Sequence, residues 1–178
     1  MATLQPIETF DTVATLRREH FLGRYPHPFL VHATGELQKL DPTRRDDLTS
    51  DRLVLEGPRK ALHESMLVAP LVPRDLDADR ITIGVATVCD IVLDDASISK
   101  RHAWFEPGDA DSWRLHDADS SAGTQLNSDP VLPGAPVSLT SGDRIMLGYV
   151  ELMFLTPDSF YDLVRGLFAS DASTARSS

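Results

Sequence analysis

From Ile81 onward the chain breaks into short apolar or β-branched runs separated by turn signals, and that cadence limits the fold more than any other feature. The runs fall at 81–84, 90–93, 102–106, 112–116, 124–126, 144–147 and 150–155. Between them stand Pro107-Gly108-Asp109, Asp129-Pro130, Pro133-Gly134 and Ser141-Gly142-Asp143, residue types that preset turn dihedrals or bond the turn backbone. Strands recurring at roughly 8–12 residues predict an all-β sandwich of two antiparallel sheets. Met66 to Val72 reads as one more strand, with Pro70 pointing to an edge position. After Pro157, the stripe Phe160, Leu163, Val164 and Leu167 predicts a short helix over 159–168, followed by a frayed Ser- and Ala-rich tail from Ser170.

Residues 1–65 have a different texture. Phe10, Val13 and Leu16 recur at helical spacing within 8–20, Phe29 to Ala33 reads as a strand, and Leu53 to Leu55 as another. Asp41-Pro42 opens a charged stretch, and 46–52 reads as a loop. The expected organisation is an N-terminal extension over 1–65, a sandwich over 66–156, and a helix with a tail over 157–178.

Several spaced motifs occupy the sandwich half. Ile81-Thr-Ile-Gly84-Val85 and Cys89-Asp90-Ile-Val-Leu93 precede Ser99-Lys100-Arg101-His102. Trp113-Arg-Leu-His-Asp117, Ser120-Ser121-Ala122-Gly123-Thr124, Asn127 and Ser141-Gly142-Asp143-Arg144-Ile145 follow. Together, over roughly Leu67 to Leu155, they resemble a bacterial-type forkhead-associated (FHA) domain, a β-sandwich that recognises phosphothreonine. The resemblance implies that loops at one end of the sandwich hold the ligand. Ser99 then matches a phosphate-binding serine, flanked by the basic Lys100 and Arg101. Ser121 takes a polar contact position, and Asn127 matches an asparagine that often follows the Gly-Thr pair. Gly84, His102, Gly123 and Thr124, with Ser120, match residues that support the loops.

Two positions depart from the family pattern. Val85 stands where the family has an arginine that grips phosphate, and Ala122 where it has an asparagine that holds the peptide backbone. A charge-assisted hydrogen bond contributes about 1.5–3 kcal/mol, so the lost arginine alone costs roughly 10- to 150-fold in phosphate affinity. The expectation is a non-catalytic interaction module, a signalling or assembly adaptor whose binding does not depend on phosphorylation. The alternative is a phosphothreonine reader using Ser99, Lys100, Arg101 and Ser121, downstream of a Ser/Thr protein kinase. The partner is another protein in either reading, and the kinase or its substrate is a candidate.

Charge and motif content exclude other classes. The formal charge of −10 is concentrated in 81–178, which carry 6 Lys+Arg against 14 Asp+Glu. Nucleic-acid binding needs clustered cations on one face, so no nucleic-acid partner is expected. The one cysteine, Cys89, rules out an internal disulfide and fits a reducing, cytoplasmic compartment; it reads as a buried small hydrophobe. No apolar run reaches the ~18 residues that span a bilayer. His27, His32 and His63 lack metal-ligand spacing, and no nucleophile elbow or phosphate-binding glycine loop is present. No metal, cofactor or catalytic residue is expected. Trp104 and Trp113 are expected in the core.

Overall fold

The computed structural model describes residues 2–33, 66–75 and 78–168. The strands from the N-terminal half are β1 (Ala2–Thr3), β2 (Gln5–Pro6), β3 (Phe29–Ala33), β4 (Met66–Pro70), β5 (Ile81–Gly84) and β6 (Ile91–Val92). β7 (Ala103–Pro107), β8 (Trp113–Asp117), β9 (Thr124–Leu126) and β10 (Asp129–Val131) follow. β11 (Val137–Leu139), β12 (Arg144–Leu147) and β13 (Val150–Leu155) complete the set. One sheet runs β1-β6-β5-β7-β8-β11 and the other β10-β9-β12-β13-β3-β4-β2. The pairings are antiparallel except that β6 runs parallel to both β5 and β1. The chain is therefore a two-sheet β-sandwich, all-β at its centre, with a short C-terminal helix.

Between the sheets lies a core built from alternate strand residues: Ile81, Ile83, Phe105 and Leu115 face Leu30, Ile145, Leu147, Leu152 and Phe154. Neighbouring residues on β3, β4 and β13 point the other way, and they are apolar too. Phe29, Val31, Met66, Val68 and Leu155 form a second core with Ile7, Phe10, Phe21 and Phe160. The covering layer consists of two 3-10 turns (Ile7–Phe10 and Thr12–Thr15), α1 (Arg18–Arg24) and α2 (Pro157–Phe168). Phe160 stacks on Phe29 at 3.8 Å and meets Phe10 edge-on at 5.1 Å. Arg18 ties the layer together, donating to Asp158 at 2.7 Å and Asp162 at 2.9 Å.

This layer replaces the single amphipathic helix expected over 8–20. Phe10, Val13 and Leu16 are spaced by three, which suits the three-residue period of a 3-10 turn as well as an α-helix. The boundary expected at 65/66 falls between β3 and β4, which are hydrogen-bonded neighbours over five residue pairs. The expectations for 41–52, for a strand at 53–55 and for the tail from Ser170 lie outside the described residues. Trp104 is a correction: Trp113 is buried, but Trp104 points out of the six-stranded sheet and stacks on His116 at 4.8 Å. Alternation requires it, because its strand neighbours Ala103 and Phe105 fill the core.

Candidate functional site

Three loops and a hairpin turn converge at one end of the sandwich: 85–90, 93–102, 118–123, and Gly148-Tyr149 between β12 and β13. Backbone bonds lace them together. Val85 N–H donates to Ser99 O, Ala86 N–H to Lys100 O, and Gly148 N–H to Gly123 O, all at 3.1 Å. These approaches require glycine. A Cβ on Gly84 would lie 2.4 Å from Lys100 O, and one on Gly148, at φ +56°, would lie 2.7 Å from Ser97 O.

His102 is fully buried at the centre of this lacing. The Ser99 amide can only donate, so His102 Nδ1 accepts from it at 3.1 Å. Nε2 therefore carries the ring hydrogen and donates to Gly123 O, also at 3.1 Å. One imidazole thus pins the serine loop to the glycine loop. Burial holds His102 below its ordinary imidazole range, only partly offset by Gly123 and Asp117.

Asp117 performs the matching task on the other loop. Its carboxylate accepts from Ser120 Oγ at 2.6 Å, Ser120 N at 3.0 Å and Thr124 Oγ1 at 2.5 Å. Burial pushes its pKa up, but those hydrogen bonds outweigh burial and hold the group below the usual carboxylate range. Asp90 repeats the pattern beneath the first loop, accepting from Thr82 N, Thr82 Oγ1 and Arg74 N. Burial and the same kind of bonding act on it in opposite senses, with the net shift downward.

At the outermost point, Ser121 N–H donates to Ser99 Oγ at 3.0 Å, joining the loops and leaving the hydroxyl hydrogen of Ser99 to donate outward. Lys100 is exposed beside it, and Ser121 and Ala122 are exposed across from it. Val85 is half-buried and packs against the sandwich core rather than projecting into the gap. Ser99, Lys100 and Ser121 therefore come together with Gly84, His102, Gly123 and Thr124 behind them. Arg101 does not join them: it turns onto the outer face of the six-stranded sheet, beside Val88 and Trp104. Asn127 sits at the far end of β9, where its amide donates to Asp143 at 2.8 Å and accepts from Arg144 N at 2.9 Å. It braces a turn, at φ +52°, rather than reaching the tip.

Three contributors escaped sequence reading. Asp117 had a signal, an acid three residues before Ser120 at a strand end, which is the spacing of a side-chain turn cap. Ser97 accepts from Tyr149 N at 2.9 Å. Tyr149 is 87% exposed at the tip, an aromatic placed directly after the turn glycine Gly148. Cys89 is buried, its thiol donating to Lys100 O at 3.3 Å, and burial pushes its pKa up. Among the described residues no group of three or more His, Cys, Asp or Glu is arranged to hold a metal ion. No described helix is long and apolar enough to cross a membrane.

Loops of different strands, laced by one buried histidine and one buried aspartate at the end of a two-sheet sandwich, define a scaffold for presenting hydrogen-bond donors. The family model for the FHA domain matches residues 81–148. Residues 81–148 therefore form an FHA domain. The oxoglutarate dehydrogenase inhibitor of Corynebacterium diphtheriae is 38% identical over 80 residues, 45% of this chain and 53% of that protein. The glycogen accumulation regulator GarA of Mycolicibacterium smegmatis is 35% identical over 81 residues, 46% and 49% of the two chains. The chain thus spans about half the length of the curated relatives it matches. Among solved structures, the N-terminal FHA domain of S. cerevisiae Rad53p in complex with a phosphothreonine peptide is 27% identical, covering 51% of this chain and 89% of that one, with a TM-score of 0.42.

Proposed function

We propose that the chain is a non-catalytic protein-interaction adaptor whose sandwich tip binds a segment of a partner protein without requiring phosphate. The observation that carries this reading is the contrast at the tip. The supporting residues are fully bonded, while Val85 packs inward and Ala122 offers no polar group. A phosphate dianion needs converging cations and donors. Here it would meet Lys100, the Ser99 hydroxyl and no guanidinium, since Arg101 faces the sheet surface. Ser99, Lys100, Ser121 and exposed Tyr149 instead offer a few hydrogen bonds around an amphipathic ring, a composition suited to an uncharged or mixed peptide.

The runner-up reading, a phosphothreonine reader that uses Ser99, Lys100 and Ser121 downstream of a Ser/Thr kinase, draws support from the exposed Lys100 beside Ser99. A single variant pair tests the loop geometry that both readings share. With the loops already in place, Val85→Arg with Ala122→Asn restores the missing cation and amide. Calorimetric titration with phosphothreonine peptides then gains at least about tenfold in affinity, and only for the phosphorylated form. No gain in the doubly substituted chain would overturn the account of the tip. A cytoplasmic location is part of this proposal, supported by the single reduced cysteine.

A further inference from the structure

The outward faces of the two sheets differ. On the seven-stranded sheet, β13, β3 and β4 are covered by α1, α2 and the 3-10 turns. On the six-stranded sheet the register aligns Thr82, Trp104 and His116 across β5, β7 and β8, all pointing outward. Trp104 lies flat on His116, interplanar angle 16°, with the Arg80 guanidinium 6.0 Å from its ring centroid. Val88, 67% exposed, bounds this strip on one side and Pro133 on the other, enclosing an open groove of ≈ 690 Å³.

We infer that this groove is a docking surface for an extended segment of a protein partner that carries a carboxylate beside an apolar side chain. The inference rests on the reading of the chain as a protein-interaction module, but not on how the tip treats phosphate. The apolar half of the ligand follows from Trp104, Val88 and Pro133, an aromatic floor with apolar walls of the kind that anchors interfaces. The carboxylate follows from Arg101, which lines the groove and makes no ion pair or side-chain hydrogen bond with a described residue. Arg80 adds a second cation; its neighbour Asp79 pairs with it at 3.1 Å, but both are exposed, and such pairs contribute little. Asp119 is the one exposed acid on the lining, since the Asp117 carboxylate is turned to Ser120 and Thr124. In a chain of net charge −10, a guanidinium without a described partner over an aromatic strip favours an acidic ligand at that spot.

Continuity with the tip supplies the second argument. Arg101 directly follows Ser99 and Lys100, and Ala118-Asp119 lead into Ser120-Ser121. A segment leaving the tip therefore meets the groove next, and the two surfaces act as one interface with a specificity pocket at its end.

The test uses the ¹⁵N-labelled full chain and two synthetic probes, Ac-Glu-Leu-Asp-Phe-Glu-NH2 and its neutral counterpart Ac-Gln-Leu-Asn-Phe-Gln-NH2. The chain has two tryptophans, so the Trp104 indole N–H gives one of two side-chain signals. The acidic probe is expected to shift that signal and the Thr82 and Ala103 amides saturably. The neutral probe and the Arg101→Ala chain are each expected to bind about tenfold more weakly. Trp104→Ala, outside the core, keeps the fold by circular dichroism and abolishes the response. Equal binding of both probes, shifts confined to Ser99 and Ser121, or no shift at Trp104 would each overturn the inference. So would concentration-dependent shifts without any probe, which would put a second copy of the chain in the groove. Any of these failures leaves the Val85→Arg, Ala122→Asn test of the tip untouched.

Discussion

Around His102 and Asp117 the tip of the sandwich is bonded to completion: one imidazole spans two loops, and one carboxylate accepts three hydrogen bonds. At Val85 and Ala122, on the same loops, the side chains offer no hydrogen bond at all. The two regions lie within a few residues of each other yet answer to different demands. A loop that must hold its shape needs its buried polar groups satisfied, whatever it later binds. A position that only contacts ligand can change its chemistry without disturbing that shape. The difference separates what this end of the molecule is built to do, which is present loops rigidly, from which ligand it presents them to.

If that separation is real, substitutions in the supporting region cost stability and those at the ligand-facing positions do not. The largest effect is expected for Asp117→Ala, which strands the Ser120 and Thr124 donors. A loss of about 4 kcal/mol lowers the melting temperature by roughly 8–16 °C in a chain of this size. Calorimetry that found less than a quarter of that shift would blur the comparison. Gly84→Ala comes next, at about 3 kcal/mol, because the new Cβ meets backbone at Lys100, which cannot step aside as a flexible side chain would. Ser99→Ala removes the acceptor for Ser121 N–H and costs about 1 kcal/mol, measured by denaturant unfolding. Tyr149→Ala and Ala122→Asn should fall within about 0.5 kcal/mol of the parent chain. A larger stability change at either position would mean that it supports the loops as well.

Acid sharpens the same contrast. The folded chain resists protonating His102, while the unfolded chain takes the proton near pH ~6.5. Stability is therefore fully present above about 6.5 and is lost as pH falls toward the depressed folded value. A proton on Nδ1 also faces the Ser99 N–H, so the tip loosens in that window. Asp117 and Asp90, held below the carboxylate range, extend the loss below about pH 3.9. Urea unfolding between pH 8 and 5 should weaken in the parent chain and flatten in His102→Gln.

Much of the sandwich was legible because its strands alternate and its turns carry Gly, Pro and Asp. The strands read at 81–84, 124–126, 144–147 and 150–155 coincide with β5, β9, β12 and β13. β10 was hidden because Asp129 and Pro130 are exposed and carry a turn signature, and β11 because a three-residue strand is too short to show alternation. β3 was readable as a strand, but its place beside β13 was not, since that pairing spans more than a hundred residues and leaves no local signal. The second core was obscured for the same reason: each side of it is apolar only in alternate positions of distant strands. At the tip, spacing revealed which residues lie near one another, but not their directions. Lys100 and Arg101 are adjacent in sequence and diverge in space, because the backbone bends through both before β7 begins, and a bend leaves no period to read.

Whether the tip requires phosphate is tested most directly by binding of the purified chain to a phosphothreonine peptide library, with the unphosphorylated library measured in parallel. Any peptides retained are expected to bind equally well without phosphate and to lose affinity in Tyr149→Ala. Micromolar binding that requires phosphate and disappears in Ser99→Ala would contradict this, and would mean that Lys100 alone does the work expected of the missing arginine.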